Sequence, residues 1–378
     1  MAKYYALTAR GLGQVLENEL RSLGFHNTEH FQGGVLFEAD WPGCYSANLK
    51  LRTASRILLP VLRFKAMTNE VLYKNILSYD WTQHISETQT LAVEASVRNS
   101  EFKDQRFVAL KVKDAVVDQF REKFGVRPDV DSKHPDLKIW VRVIENEVIV
   151  AIDTSGEPLF KRKYRVEDVP APIKEHVAAA LLQMTDWDRN SPLIDPMCGS
   201  GTFLIEAAMM ALRAAPGLQK KYFGFQKLSN YDSAQWSHIV DLALEEEKTE
   251  LPFKFYGYDI SRTAVGAAKK NVEAAGLTDW IDVTRSGVSV MEPPCEKGMI
   301  VVNPPYGERI GTDEALLRDS YLDLGFALKS KFRGWTAWVL SPKRELTNLL
   351  GFKPSRRFHV WNGPIECEFI KYEIFKNP

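Results

Sequence analysis

The sequence has few cysteines and no apolar run of membrane length. Its four cysteines, Cys44, Cys198, Cys295 and Cys367, lie far apart and match neither a metal-site spacing nor a disulfide framework. The opening residues, MAKYYALTARG, lack the long apolar stretch of a signal peptide. No apolar run is long enough to span a bilayer. These absences predict a protein of the reducing cytoplasm, with no membrane segment and no bound metal.

The chain also lacks an excess of charge of either sign. Its 378 residues carry 49 Lys and Arg against 49 Asp and Glu, so the formal net charge is zero. A general attraction to polyanions is therefore excluded as the main means of binding nucleic acid, which would need local basic patches or shape. The length predicts two or three domains, and the composition is that of an ordinary globular protein.

The periodicity of apolar residues changes at about residue 166. Before it, short strands and amphipathic helices predict small α+β units, including a long helix that ends at Gly125 and a hairpin that turns at Glu145-Asn146. After it, strands at 192–195, 255–259, 280–285, 299–303 and 336–341 alternate with helices, and RRFHVWNGPIECEFIKYEIF reads as a final hairpin. This alternation predicts a parallel sheet covered on both faces, with an antiparallel hairpin at its end.

The stretch LIDPMCGSGTFLIEAA joins a strand that ends at Asp195 to a helix that begins near Thr202. A dinucleotide fold would need glycine where Leu204 stands, and a Walker loop would need Gly-Lys-Ser/Thr. An S-adenosylmethionine site needs a tight glycine turn beside the methionine moiety, and carboxylates for the amine and the ribose hydroxyls. Asp195 and the CGSG turn fit that site. A simple strand–turn–helix connection is the alternative.

A second acid, Asp259, ends the predicted strand YGYD. Since neighbouring strands of a doubly wound sheet converge on one ligand crevice, Asp259 could hold the ribose; its alternative role is to cap the next helix. The chain between Asp195 and Asp259 exceeds one crossover helix. Residues 214–252 are therefore predicted to be an insertion with helical content.

The segment IVVNPPYGERIG carries the strongest signal, because an apolar strand runs into Asn303, Pro304, Pro305 and Tyr306. The prolines fix the backbone and remove two N–H donors. The Asn303 side-chain oxygen and the Pro304 carbonyl could hold both hydrogens of a base amine and aim its lone pair at a methyl group. Tyr306 could stack on the base. A rigid loop after a strand is the alternative.

Basic residues cluster at two places. KRKYR holds Lys161, Arg162, Lys163 and Arg165, which predicts an RNA-phosphate contact or a solvated linker. A second group around the start of the long helix is either an RNA contact or an ordinary exposed face: Arg98, Lys103, Arg106, Lys111 and Lys113.

Taken in order, DPMCGSG, the Asp259 strand end and NPPYGERIG, with APIKEHVAAALL just upstream, resemble the THUMP-domain class I RNA methyltransferases. The closest likeness is to bacterial 23S ribosomal RNA guanine-N2-methyltransferases, often labelled N6-adenine-specific DNA methylases. The resemblance implies a Rossmann-like α/β methyltransferase domain at 156–378, a ferredoxin-like α+β domain at 1–65 and a THUMP domain at 66–155.

The resemblance also assigns site residues. Asn303, Pro304, Pro305 and Tyr306 would hold the target amine, Asp259 would hold the ribose, and the remaining cofactor contacts would be Asp195, Pro196, Cys198, Gly199, Gly201, Thr202 and Ile260. The family's adenine-binding acid is replaced here by RSGVSV, so Ser286 or a backbone group would substitute.

The expected function is S-adenosylmethionine-dependent methylation of guanine N2 in RNA, with 23S ribosomal RNA as the expected partner. Guanine-N2 methylation of tRNA and N6 methylation of adenine in DNA are the alternatives, since the motif specifies an amine rather than a base. A non-catalytic RNA-binding factor is a third hypothesis. The oligomeric state is left open.

Overall fold

The computed structural model describes residues 1–170, 172–307 and 314–375, and within these ranges fourteen strands form two seven-stranded sheets. The sheets belong to different units. Unit 1 comprises Met1–Leu7, Glu19–Leu159 and Lys220–Leu242, and unit 2 comprises Thr8–Asn18, Phe160–Gln219 and Ala243–Pro378. Two motif segments fall outside the described residues: position 171 of APIKEHVAAALL and positions 308–311 of NPPYGERIG.

The sheet of unit 1 has the order β2-β3-β1-β4-β7-β6-β5, in which β5 and β6 pair in parallel and the other neighbours are antiparallel. Its strands are β1 Ala2–Leu7, β2 Thr28–Phe31, β3 Gly34–Ala39, β4 Arg56–Lys65, β5 Leu91–Arg98, β6 Leu137–Ile144 and β7 Glu147–Asp153. The helices in this part of the chain are α1 Gly13–Ser22, α2 Trp41–Lys50, α3 Asn69–Leu77 and α4 Gln105–Phe124.

One core lies between the helices and one face of this sheet. Along β6, Ile139 and Val141 are buried while Trp140 and Arg142 are half-buried on the opposite face. The predicted long helix is α4, which is capped by Gly125 and whose buried residues include Val108, Val112, Ala115, Val116 and Phe120. Burying each large apolar side chain contributes about 1.5–3 kcal/mol, so this face holds the layers together.

Strand pairing runs across the boundary predicted between residues 65 and 66. Strand β4, from the expected ferredoxin-like part, pairs with β7, from the expected THUMP part, along most of its length. Both parts therefore contribute to one sheet and one compact unit, and the three-domain division stays a prediction. Strand β2 and helix α3 were not predicted from the sequence.

The sheet of unit 2 has the order β10-β9-β8-β11-β12-β14-β13, in which β14 is antiparallel to both of its neighbours and the other strands run parallel. Its strands are β8 Leu193–Asp195, β9 Phe255–Asp259, β10 Ile281–Arg285, β11 Met299–Val302, β12 Thr336–Ser341, β13 Arg356–Asn362 and β14 Ile365–Glu373. The helices that follow are α5 Glu175–Met184, α6 Thr202–Ala211, α7 Ser233–Glu245, α8 Arg262–Ala274, α9 Glu314–Lys331 and α10 Arg344–Asn348. The predicted α/β sheet and final antiparallel hairpin are confirmed.

Apolar residues cover both faces of this second sheet. In β8, Leu193 packs with α5, α6 and α8, whereas the next residue, Ile194, packs in the cluster of α9. The strand order reverses at β8, because β9 lies on one side of it and β11 on the other. The carboxyl ends of β9, β8 and β11 are therefore neighbours, which is where ligands bind in such sheets.

The predicted insertion has the expected helix, α7, but part of it belongs to unit 1. There Phe225 stacks on Tyr45 with ring centroids 4.5 Å apart, and Trp236 meets the same ring edge-on at 6.2 Å. Within the described ranges, no helix combines the length and apolarity that a bilayer crossing requires.

Candidate active site

The carboxyl end of β8 places Asp195 in the interior, where the residue is 2% exposed. Its Oδ1 accepts a hydrogen bond from the Met197 N–H at 3.2 Å. Burial raises the pKa of the Asp195 carboxyl well above its usual range; the Met197 bond opposes this shift and the nearby Asp259 adds to it. A cationic ligand group beside Asp195 would favour the ionised carboxylate, because its charge would compensate for the hydration that burial removes.

The CGSG turn after β8 depends on two glycines in the left-handed region, Gly199 with φ of 53° and Gly201 with φ of 83°. Cys198 anchors the turn, since its N–H donates to the Tyr258 carbonyl of β9 at 2.8 Å. Burial, together with the carboxylates of Asp195 and Asp259, raises the pKa of the Cys198 thiol well above its usual range. Cys198 is therefore a neutral wall residue rather than a nucleophile.

Asp259 joins the end of β9 to this turn. Its Oδ2 accepts from the Gly199 N–H at 3.0 Å, and its Oδ1 accepts from the Ser261 N–H at 2.8 Å. The helix-cap alternative is wrong, because Ser261 is the N-cap of α8 and its hydroxyl accepts from the Ala264 N–H. Each carboxylate oxygen can accept a second hydrogen bond, so Asp259 keeps capacity for the hydroxyls of a ligand.

The NPPY segment leaves β11 with Asn303 at the third strand end. Asn303 Oδ1 is buried and has no hydrogen-bond partner among the residues that the structure describes. Pro304 is buried and Pro305 is exposed. Tyr306, which is 7% exposed, accepts a hydrogen bond on its hydroxyl from Asn362 Nδ2 at 2.9 Å. The hydrogen bond from Asn362 thus fixes the position of the Tyr306 ring.

One cavity of about 510 Å³ in unit 2 collects these residues. Its wall contains nearly every residue that the sequence assigns to the cofactor or to catalysis: Asp195, Pro196, Cys198, Gly199, Thr202, Asp259, Ile260, Ser286, Asn303, Pro304, Pro305 and Tyr306. Gly201 instead faces α8, where an added Cβ would lie 3.4 Å from the Ala268 Cβ. The volume is that of a typical small-molecule site.

Two parts of this wall were not predicted from the sequence. Val169, Pro170, Pro172 and Ile173 precede α5 and line the cavity from one side. Ser320 and Asp323 of α9 line it from another. The two prolines flanking position 171 could have indicated this part of the wall, since prolines stiffen the backbone of the segment that forms it. Nothing in the sequence distinguishes Asp323 from an ordinary exposed helix residue.

The basic cluster KRKYR requires a correction at Arg162. This residue is 1% exposed, and its Nε lies 3.2 Å from Glu206 Oε1, which also accepts from the Tyr164 hydroxyl at 3.0 Å. Burial alone would lower the pKa of the Arg162 guanidinium, but the charge and hydrogen bond of Glu206, with smaller contributions from Tyr164 and Glu175, together outweigh burial and the pKa rises. Arg162 is therefore a core ion-pair residue without surface for RNA, whereas RNA contacts by the exposed Lys161 and Lys163 stay a prediction.

Arg165 supports the cofactor turn. Its guanidinium donates to Ser200 Oγ at 3.1 Å, to Thr202 Oγ1 at 3.0 Å and to Glu175 Oε1 at 2.7 Å. These bonds occupy much of the N–H donor capacity of the Arg165 guanidinium. Its role in this structure is therefore to brace the turn against α5 rather than to bind phosphate.

Asn271 of α8 adds a second brace to the same turn. Its Nδ2 donates to the Ser200 carbonyl at 3.1 Å, and its Oδ1 accepts from the N–H groups of Val166 and Glu167 at 2.9 Å. The segment before the cavity wall is therefore tied through one buried amide to the glycine turn.

Comparison with known proteins identifies the parts of the chain. Residues 162–371 match the methyltransferase domain described as RMKL-like, residues 66–153 match the THUMP domain, and residues 3–58 match the RlmL ferredoxin-like domain. A Synechocystis sp. protein named "Putative RNA methyltransferase slr0064" is 38% identical over 98% of this chain and 97% of its own.

Two solved structures are similar along the whole chain. One is SMU.472, described as "a putative methyltransferase complexed with SAH", with 28% identity, a TM-score of 0.92, and coverage of 100% of this chain and 99% of that one. The other, a predicted N6-adenine-specific DNA methylase from Listeria monocytogenes str. 4b F2365, has 30% identity, a TM-score of 0.88, and coverage of 98% and 96%.

The chain therefore belongs to the RMKL-like methyltransferase family. This family assignment confirms the predicted resemblance and the predicted enzyme class, a methyltransferase. It also confirms the predicted cofactor, S-adenosylmethionine.

Removing Glu206 tests the buried ion pair. We expect Glu206→Leu to lower the free energy of unfolding by about 3–5 kcal/mol, because it leaves the Arg162 charge buried without its partner. The double variant Arg162→Met with Glu206→Leu should regain most of that loss, as measured by urea denaturation. A double variant no more stable than Glu206→Leu would contradict this account of KRKYR.

Changing Asp259 tests the cofactor end of the cavity. We expect Asp259→Asn to weaken S-adenosylmethionine binding about tenfold to hundredfold in calorimetric titration, because charge-assisted hydrogen bonds contribute about 1.5–3 kcal/mol. Asp282→Asn is the matched control, since Asp282 is an exposed aspartate on the adjacent strand β10 and outside the cavity wall. Equal affinities of the two variants would exclude Asp259 from the cofactor site.

Proposed function

We propose that this protein transfers the methyl group of S-adenosylmethionine to the exocyclic N2 of a guanine in RNA, with 23S ribosomal RNA as the substrate. The observation that carries the proposal is the buried Asn303 Oδ1, which has no partner among the described residues. Such an acceptor costs about 1–3 kcal/mol unless it is satisfied. An amine hydrogen of the substrate would satisfy it.

The chemistry of a base amine fits this acceptor. The amine is a poor nucleophile because its lone pair is conjugated into the ring. Asn303 Oδ1 and the Pro304 carbonyl, accepting one hydrogen each, would hold the nitrogen so that its lone pair points along the cavity. They would also stabilise the positive charge that develops on nitrogen as the new N–C bond forms.

No strong base is needed for this reaction. The amine hydrogen becomes acidic only after the N–C bond has formed, so the proton can leave to water at that stage. The acceptors at Asn303 and Pro304 therefore act by electrostatic stabilisation and positioning. The neutral Cys198 takes no part in proton transfer under this proposal.

The other end of the cavity suits the cofactor. S-adenosylmethionine, when bound, supplies an electrophilic methyl group on a positively charged sulfur. Asp195 is a buried carboxyl that has no cationic partner among the described residues, and it would be stabilised by the cationic methionine moiety. Asp259 would accept from the ribose hydroxyls, while Ser286 lies in the wall where the adenine would be held.

The target base has to leave its stack to reach Asn303. Tyr306 would then provide a flat surface for it, because its hydroxyl is fixed by Asn362 and its ring lines the cavity. A ring that is fixed before binding loses little conformational freedom when the base arrives, which favours a productive geometry.

RNA, rather than DNA, is supported by the first half of the chain. Residues 66–153 match a THUMP domain and residues 3–58 an RlmL ferredoxin-like domain, and the Synechocystis relative is named as an RNA methyltransferase. The NPPY segment itself selects an amine and not a particular base. The proposal of guanine N2 therefore rests on the family resemblance of the motifs. The buried free thiols of Cys44, Cys198 and Cys367 suit a cytoplasmic location.

Substrate identity is tested by methyl transfer. Purified protein is incubated with labelled S-adenosylmethionine and unmodified ribosomal RNA, tRNA or DNA, and the digested nucleosides are separated. We expect label in N2-methylguanosine from 23S ribosomal RNA. Label in N2-methylguanosine of tRNA would show that tRNA, and not 23S ribosomal RNA, is the substrate. Label in N6-methyladenine of DNA would contradict the proposal. Cofactor binding without transfer to any pool would indicate a non-catalytic factor.

The role of Asn303 is tested on the substrate that accepts label. We expect Asn303→Ala to reduce the single-turnover transfer rate by about 10²–10³-fold, as for the loss of one electrostatic donor or acceptor in a buried site. Its S-adenosylmethionine affinity should stay within about twofold of wild type. Asn348→Ala, at an exposed asparagine of α10, serves as the control. Transfer at the wild-type rate by Asn303→Ala would overturn the assigned role.

A further inference from the structure

The sheet face of unit 1 that points away from the core carries an unexpected set of side chains. An antiparallel sheet with one face on a core usually has a polar opposite face. Here the opposite face carries three aromatic residues, Tyr5 on β1, Phe31 on β2 and Trp140 on β6, all half-buried. They line a cavity of about 540 Å³ that lies entirely within unit 1.

The shape of this cavity comes from strand β4. Its pairing with β7 shifts between Pro60 and Leu62, so Val61 is an extra residue in the strand. A bulge of this kind bends its strand and increases the local twist. Because β4 lies between β1 and β7, the bend falls between Tyr5 and Trp140, and Pro60, Val61 and Leu62 all line the cavity.

Cations surround these aromatic rings. Lys3, Arg63 and Arg142 line the cavity with one carboxylate, Glu29. Arg63 is balanced, because its guanidinium pairs with Glu147 at 3.0 Å and also interacts with Glu29. Lys3 and Arg142 have no carboxylate within salt-bridge distance among the described residues.

Arg142 in particular is paired with no carboxylate in the described part of the chain. Its Nη1 donates to the Gln32 carbonyl, a neutral acceptor, at 3.3 Å. Partial burial and the positive charge of Arg98 both lower the pKa of Arg142. Two arginines so placed on one sheet face repel each other, and an anion between them would relieve the repulsion.

We propose that this sheet face, defined by Tyr5, Trp140, Lys3 and Arg142, binds a short single-stranded segment of RNA. Bases stack on the aromatic rings and a phosphate lies against Arg142. Aromatic side chains on an exposed sheet, with adjacent cations, are the combination that single-stranded RNA requires. Base-paired RNA keeps its bases stacked on one another and cannot use the rings.

The dimensions favour a segment over a single nucleotide. Tyr5 and Trp140 lie on strands separated by two others, so about three interstrand spacings, or roughly 14 Å, separate them. Tyr5 and Phe31 meet edge to face at 4.9 Å, which fixes the tyrosine ring as a platform. This proposal rests on the proposed function only in taking RNA as the substrate class.

The test is fluorescence anisotropy of the full-length protein with a labelled 12-nucleotide single-stranded RNA, and with the same strand annealed to its complement. We expect Tyr5→Leu to weaken single-strand binding about tenfold, because one stacked base is lost, and to leave duplex binding unchanged. We expect Arg142→Gln to weaken binding too, and to reduce the slope of log K against log salt by about 0.7. Arg121→Gln, an exposed arginine on α4, controls for a simple loss of positive charge.

Each variant must have the melting temperature of the wild-type protein. A second readout uses the wild-type protein and therefore does not depend on the stability of any variant. RNA containing 4-thiouridine is photo-crosslinked to the wild-type protein, and the crosslinked peptides are identified by mass spectrometry. We expect crosslinks in the peptides that contain Tyr5 or Trp140. Wild-type affinity and salt slope in both variants, an equal loss for the duplex, or crosslinks confined to other peptides would each overturn the proposal.

These outcomes are separable from those of the proposed function. If RNA is methylated normally by the Tyr5→Leu and Arg142→Gln variants, with unchanged single-strand affinity, the sheet-face site is refuted and the proposed function stands. If the sheet face binds single-stranded RNA but label enters only DNA, the proposed function fails and the RNA site stands.

Discussion

Three adjacent parallel strands, β9, β8 and β11, end at the same edge of the second sheet, and each ends in or runs into a polar residue. Asp259, Asp195 and Asn303 are thereby brought to one cavity although they are far apart in sequence. The hydrogen bond from the Gly199 N–H to Asp259 ties the glycine turn of one strand to the end of the next. The spacing between the cofactor end and the amine-binding end follows from the strand order, because neighbouring strands in a sheet are separated by a fixed distance.

The segment before α5 supports this arrangement from behind. Arg165 braces the glycine turn, Asn271 ties the same turn to residues 166 and 167, and the chain then forms one wall of the cavity. Arg162 and Glu206 form an ion pair inside the core of unit 2. A buried pair contributes little net stability compared with apolar residues, but it is costly to break, so it fixes the path of the chain into the site.

Much of the fold and the site could be predicted because their signals are local. Apolar periodicity gave α4, β6, β7 and the parallel strands, and the glycine turn and NPPY segment identified the cavity wall. Long-range pairing could not be predicted: the β4–β7 ladder that joins two expected domains has no sequence signal. The burial of Arg162 was missed for the same reason, since its partner Glu206 lies on a helix that no local pattern connects to KRKYR. Tyr5, Trp140 and Arg142 read as ordinary strand residues until the strand order placed them on one face.

The central claim is that the buried Asn303 oxygen holds the exocyclic amine of the target base. The most direct measurement is a crystal structure of the protein with S-adenosylhomocysteine and an RNA oligonucleotide that it methylates. The account predicts a flipped guanine against Tyr306, with its N2 within about 3 Å of Asn303 Oδ1. A base bound in the cavity through a ring nitrogen or a ribose hydroxyl, with Asn303 Oδ1 out of contact, would contradict it.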